Sequence, residues 1–139
     1  MGNTESRIKT VNYDNIKHNK SLLIHVMDET EQSCVIKGTL SIENEVKTIN
    51  SLLSSSKQGQ TDIIIYGRNT DDFPKIIKRY NQLVGLGFNA YVYFGGLFEW
   101  LLLQEIYGSS EFPIENRTES IIDLLKYSPE KRTIQGIVL

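Results

Sequence analysis

A single cysteine, three prolines, two methionines and one tryptophan are all that this chain of 139 residues carries of those types. The lone Cys34 cannot close an internal disulfide and cannot build a cysteine-rich zinc site, which fits a reducing compartment such as the cytoplasm. Positive charge is not in surplus either. Fifteen Lys and Arg stand against 17 Asp and Glu, so a polynucleotide backbone exerts no general pull and nucleic acid is not an expected partner. No apolar run reaches the roughly 20 residues that span a bilayer. The longest, YVYFGGLFEWLLL, carries Glu99 and is split by Gly95 and Gly96, so it is expected to be buried core. The N-terminus MGNTESRIKT is polar and lacks the apolar centre of a secretory signal. The G-x-S-x-G elbow of serine hydrolases is missing. His18 and His25 lie on different elements and do not converge, so neither metal nor cofactor is expected.

What is present reads as one α/β domain. Residues 1 to 20 are rich in Asn, Lys and Ser and read as a flexible segment, with room for one short edge strand near Val11 to Tyr13. The compact domain is expected over residues 21 to 139. SLLIHVM is a nearly continuous apolar run, as in a strand covered on both faces. CVIKGTLSI holds a second strand-like piece with a turn at Gly38. From Glu43 to about Ser54, Val46, Ile49, Leu52 and Leu53 recur at helical spacing. DIIIYG is the strongest strand signal, because consecutive β-branched residues resist helix. In DDFPKIIKRYNQLVGLGF, Phe73, Ile76, Ile77, Tyr80, Leu83 and Val84 share a helical face, Pro74 suits the first turn, and Gly85 and Gly87 close the element. NAYVYF reads as a strand. Gly96 to Tyr107 reads as a helix apolar almost all round, hence buried, and Thr118 to Tyr127 as a last helix before Pro129. Strands alternating with helices predict a mostly parallel sheet with helices on both faces.

The order of these motifs resembles the rhodanese-like domain family over about residues 20 to 107. LLIHVM resembles the family's LIDVR-type strand, VIKGTLSI its HIPGAINIP segment, and IIIYG the strand that ends in Tyr before the catalytic loop. YVYFGGLFEW resembles the last core strand, which leads into Gly-Gly and a helix carrying Trp. The resemblance implies a three-layer fold and a loop whose cysteine, directly after the Tyr, accepts a sulfane sulfur as a persulfide. Aligned so, Tyr66 matches the Tyr and Gly67 occupies the nucleophile's place, with Thr70 the alternative under a shifted loop. Neither can carry a persulfide. The family's Asp-Val-Arg strand is His25, Val26 and Met27 in this chain. The related cysteine phosphatases need Arg six positions after their cysteine, and Cys34 is followed there by Leu40.

The remnant loop is therefore Gly67, Arg68, Asn69, Thr70, Asp71 and Asp72. Asp71 and Asp72 would repel an anionic donor, and are read as caps of the following helix. Cys34 lacks a basic neighbour in QSCVIKG and reads as a small buried hydrophobe. His25 reads as a hydrogen-bonded core histidine, and Trp100, Phe94 and Phe98 as core aromatics rather than the wall of a ligand cleft. Met1-Gly2 followed by Ser6 matches the N-myristoylation pattern, and Arg7, Lys9, Lys17 and Lys20 supply the basic second signal that one acyl chain needs. The resulting expectation is a catalytically inactive rhodanese-like domain that binds a protein partner, tethered through Gly2 at the cytosolic face of a membrane. The competing expectations are a sulfurtransferase working through Cys34 or the 67 to 72 loop, and a metabolite sensor with a closed cavity near Tyr66 and Gly95.

Overall fold

The computed structural model describes residues 8–18, 20–28 and 34–116. Gly2 and the helix expected at Thr118 to Tyr127 lie outside the described residues. Helix α1 (Tyr13–His18) is followed by strands β1 (Leu22–His25) and β2 (Cys34–Ile36), then helix α2 (Ile42–Ser54) and strand β3 (Asp62–Tyr66). Helix α3 (Phe73–Gly85), strand β4 (Asn89–Tyr93), helix α4 (Gly96–Tyr107) and strand β5 (Ile114–Asn116) complete the order.

Strands β1, β3 and β4 form a parallel sheet in that order, with Ile65 opposite both Ile24 and Val92. Its edges are extended by single parallel bridges, Leu23 to Thr39 on one side and Thr10 to Val92 on the other. β2 and β5 pair separately and antiparallel. The sheet is covered on both faces, as the apolar strands require. Ile63, Ile65, Ala90 and Val92 pack with Ile49 of α2 and with Ile76, Tyr80 and Leu83 of α3. Alternate residues Ile64, Tyr66 and Tyr93 pack on the opposite side with Leu97 and Trp100 of α4, and with Val35, Ile36 and Phe112. The expected α/β class and mostly parallel sheet are therefore present.

The chain joins the packed body earlier than Ser21. Ile8, Val11 and Ile16 lie against the core, the Lys9 N–H donates to the Tyr80 hydroxyl at 3.1 Å, and Val11 and Lys9 bond to Val92 through the backbone. The edge pairing centres on Thr10, while Tyr13 opens a helix in place of the expected strand.

Three faces differ from the sequence pattern. On α2, Val46 is exposed and Glu45 is buried, because the Arg79 guanidinium of α3 reaches the Glu45 carboxylate and lets it sit at the core's edge. Burial pushes the Glu45 carboxyl above its ordinary range, and Arg79 opposes that rise. On α3, Phe73 and Val84 are exposed, while Ile76, Tyr80 and Leu83 form the inward row at i, i+4 and i+7. On α4 only one side is buried. Leu97 and Trp100 face the core, and Phe98, Leu102, Ile106 and Tyr107 face outward, because a single sheet face offers cover to one side of a helix. Phe98 is thus not core.

Candidate functional site

At the carboxyl end of the parallel sheet, where open α/β folds hold ligands, two corners meet. One joins β3 to α3 through residues 67 to 72, and the other joins β4 to α4 through Phe94 and Gly95. Backbone bonds weld them together. The first amides of α4, Leu97 and Phe98, donate to the carbonyls of Gly67 at 2.9 Å and Arg68 at 2.8 Å. Gly96 makes this approach feasible. Its φ is +67°, and a Cβ there would stand 2.6 Å from the Gly67 carbonyl oxygen and 2.8 Å from that of Arg68.

Within the first corner, the acids do not act as the expected helix caps. Residues 70 to 72 form one turn of 3-10 helix, whose cap is Asn69: its Oδ1 accepts the Asp71 N–H at 2.8 Å. The same turn swings Asp72 inward, where it is 2 % exposed and makes no capping bond to α3. Its Oδ2 accepts the Arg68 N–H at 2.8 Å, and the Arg68 guanidinium reaches the two carboxylate oxygens at 3.4 Å. Burial alone would raise the Asp72 pKa, but the hydrogen bonds and charge of Arg68 outweigh it and hold the carboxyl below its usual range. Asp71 and Thr70 are both exposed, and neither side chain enters the buried arrangement.

Gly67 sits against this carboxylate. Its φ lies outside the left-handed region, yet a Cβ at Gly67 would stand 2.7 Å from Asp72 Cβ and 2.8 Å from Asp72 Oδ2. The space that a side chain at Gly67 would take is filled by the chain's own anion.

The second corner repeats the device with residues that the sequence patterns do not single out. Glu99, in the first turn of α4, folds back over Gly95, and its Oε1 accepts the Tyr93 hydroxyl at 2.5 Å. Burial, then the bond and charge of Glu99, push the Tyr93 phenol far above its ordinary pKa and keep it protonated. A carboxylate three residues beyond a Gly-Gly corner is the only sequence signal for this contact.

The remaining candidates are dispersed. Tyr66 is fully buried, and its hydroxyl accepts the Ile36 N–H at 3.1 Å and pairs with the Thr39 hydroxyl at 2.8 Å, so it fastens the 34 to 39 segment to the sheet. His25 is buried beside it in register, and its Nδ1 accepts the Met27 N–H at 3.0 Å, in keeping with a core histidine. Trp100 is buried and donates its indole N–H to the Pro113 carbonyl at 2.9 Å. Cys34 is half-buried on β2, and burial pushes its thiol pKa up, which disfavours the thiolate that nucleophilic attack requires.

Cavities of about 250 to 360 Å³ lie elsewhere, under Lys17 and Trp100, beside Tyr13 and Phe112, and along Ser21, Asp62 and Tyr91. None of these is lined by Tyr66, Gly95 or residues 67 to 72, so they do not supply the closed chamber of the sensor expectation. Among the described residues no group of three His, Cys, Asp or Glu is placed to hold a metal, and no helix is long and apolar enough to cross a membrane. No known family model matches the sequence, and no curated protein matches it at a significant level.

Proposed function

We propose that this chain is a rhodanese-like domain without sulfur-transfer activity that serves as a protein-binding or regulatory module, tethered at the cytosolic face of a membrane by a myristoyl group on Gly2. One observation carries the reading: the Asp72 carboxylate fills the corner where the family's persulfide belongs, on the Arg68 N–H, and leaves Gly67 no room for a side chain. An anionic donor would have to displace a buried, hydrogen-bonded carboxylate and would meet the exposed Asp71 on the way. The mouth of the corner offers a surface better suited to protein contact than to a small anion. Phe73 stacks on Phe94 with ring centroids 5.5 Å apart, and Phe73 is partly open to solvent. The tether rests on the Gly2 and Ser6 pattern together with the basic residues Arg7, Lys9, Lys17 and Lys20.

The test is sulfur transfer from thiosulfate to cyanide or a thiol, with intact mass spectrometry after donor treatment. No turnover and an unchanged mass at Cys34 are expected. Turnover, or a 34-position persulfide, would overturn the reading in favour of an atypical sulfurtransferase. The same mass measurement on protein made in a eukaryotic host reads acylation at Gly2.

A further inference from the structure

Near the C-terminal end of α4, three aromatic rings gather around a positive charge. Phe112 is buried, and the ring centroids of Tyr13 from α1 and Tyr107 from α4 lie 5.6 Å and 6.0 Å from its own. The Lys17 ammonium stands over the Phe112 ring, 4.5 Å from its centroid, and its Nζ donates to Glu111 Oε1 at 2.7 Å. A cavity of about 360 Å³ opens on this cluster, lined by Tyr13, Lys17, Tyr107, Glu111 and Phe112. The platform is fixed. The Phe112 N–H donates to the Gly108 carbonyl at 3.1 Å, and Gln104 Nε2 donates to the Phe112 carbonyl at 2.9 Å. The occupant is held less firmly, because α1 has six residues, none of them buried, and the Glu111 side chain of its ion pair is 58 % exposed.

We infer that this cluster is a cage for a methylated ammonium ion, with Lys17 as an internal competitor for it. The position of Lys17 shows which charge the site accepts: aromatic faces and a carboxylate draw a cation and bar an anion. The donor count favours a methylated ammonium over a bare one. An –NH₃⁺ group carries three donors, and among the described residues Glu111 is the one acceptor that Lys17 Nζ reaches. A methylated ammonium has fewer donors or none, and so leaves water for an aromatic site at lower cost. Nor do the rings serve only to pack Lys17, since Tyr13 and Tyr107 stay 38 % and 61 % exposed beside open space. The inference goes beyond the protein-binding reading and does not depend on it. The same group occurs on a free small cation and on a methylated lysine of a partner, and the test separates these sources.

The full chain and its variants are titrated calorimetrically with choline, with the neutral analogue in which carbon replaces the nitrogen, and with a peptide bearing trimethyl-lysine. Lys17→Ala should bind choline saturably and about fivefold more tightly than the parent, because the competitor is gone. The neutral analogue should bind that variant about tenfold more weakly than choline does. Tyr107→Leu and Glu111→Gln, both at exposed positions where folding is not at stake, should each weaken choline about two- to fivefold when added to Lys17→Ala. Tighter binding of the peptide than of choline assigns the group to a partner's side chain, and equal or weaker binding assigns it to a free cation. The inference is overturned if neither choline nor the peptide binds Lys17→Ala, if the neutral analogue binds as well as choline, or if Lys17→Ala, Tyr107→Leu or Glu111→Gln leaves the affinity unchanged. Sulfur-transfer turnover would overturn the proposed function and leave this binding intact.

Discussion

Replacing Asp72 by Asn tests whether the buried anion holds the first corner together. The side chain keeps its size, so packing against Gly67 is preserved, while the charge is lost from a site only 2 % exposed. The main loss is the charge-assisted bond from the Arg68 N–H at 2.8 Å, of a class worth about 1.5–3 kcal/mol. An amide oxygen retains part of it. The two guanidinium contacts at 3.4 Å come from a side chain that is 45 % exposed, so screening limits them to less than about 1 kcal/mol. A net loss of about 1–2 kcal/mol at pH 7 follows for Asp72→Asn, and about 2–3 kcal/mol for Asp72→Ala, which leaves the Arg68 N–H without its acceptor. The pH dependence has a definite sign. Because the folded pKa lies below the unfolded value of about 3.9, this stability is fully present above that value and disappears as pH falls through the folded pKa. Urea unfolding followed by far-ultraviolet circular dichroism at pH 7 and near pH 3 measures both effects, and the other carboxylates cancel between the proteins. A variant within about 0.5 kcal/mol of the parent at pH 7, or an undiminished gap near pH 3, would refute the buried-anion account.

Replacing Gly67 by Cys should cost about 1–3 kcal/mol through overpacking on Asp72, and a variant that chemical denaturation finds as stable as the parent would contradict this geometry. The adjacent glycines of the second corner should differ. Gly96→Ala combines a left-handed φ of +67° with two backbone oxygens within 3 Å of the new Cβ, so a loss above about 3 kcal/mol or failure to fold is expected. Gly95→Ala has right-handed helical angles and meets only the Glu99 side chain, so about 1–2 kcal/mol should be lost with the Tyr93 bond; thermal melts compare the two, and equal effects would contradict this geometry. Tyr66→Phe removes the partner of the Ile36 N–H and should cost about 1–2 kcal/mol, with amide exchange rising first over Cys34 to Thr39.

Strands β1 to β4 and the long helices were legible because their signals are local, whereas the short β5 was not read from the sequence. Three consecutive isoleucines in β3 and the i, i+4, i+7 row of α3 fix element type whatever packs on them. Faces were less legible, for two distinct reasons. On α2, Val46 and Glu45 are neighbours about 100° apart, and the buried one is chosen by Arg79 on another helix, 34 residues away in sequence. On α4, apolar residues surround the helix, so the pattern carries no phase and tertiary contact alone decides that Trp100 is buried and Ile106 exposed. The early start of the packed body was hidden because Ile8, Val11 and Ile16 are thinly spread and are tied by backbone bonds to Val92, which leave no mark on residue type.

The role of Asp72 was hidden by a conformational detail with a large consequence. An acid one residue before a helix ordinarily caps it, but the single 3-10 turn hands the cap to Asn69 and rotates Asp72 behind the loop. The same physics explains why the corner keeps such a residue. Amides aimed into a dry loop cost about 1–3 kcal/mol each when nothing accepts them, so a corner with no ligand to hold is stable only if the chain supplies acceptors itself. Here every observed partner is internal: Asp72 for the Arg68 amide, Asn69 for that of Asp71, Gly67 and Arg68 for the first amides of α4, and Glu99 for the Tyr93 hydroxyl. The amides so engaged are closed to an incoming anion, and binding through them would need those internal bonds to break first.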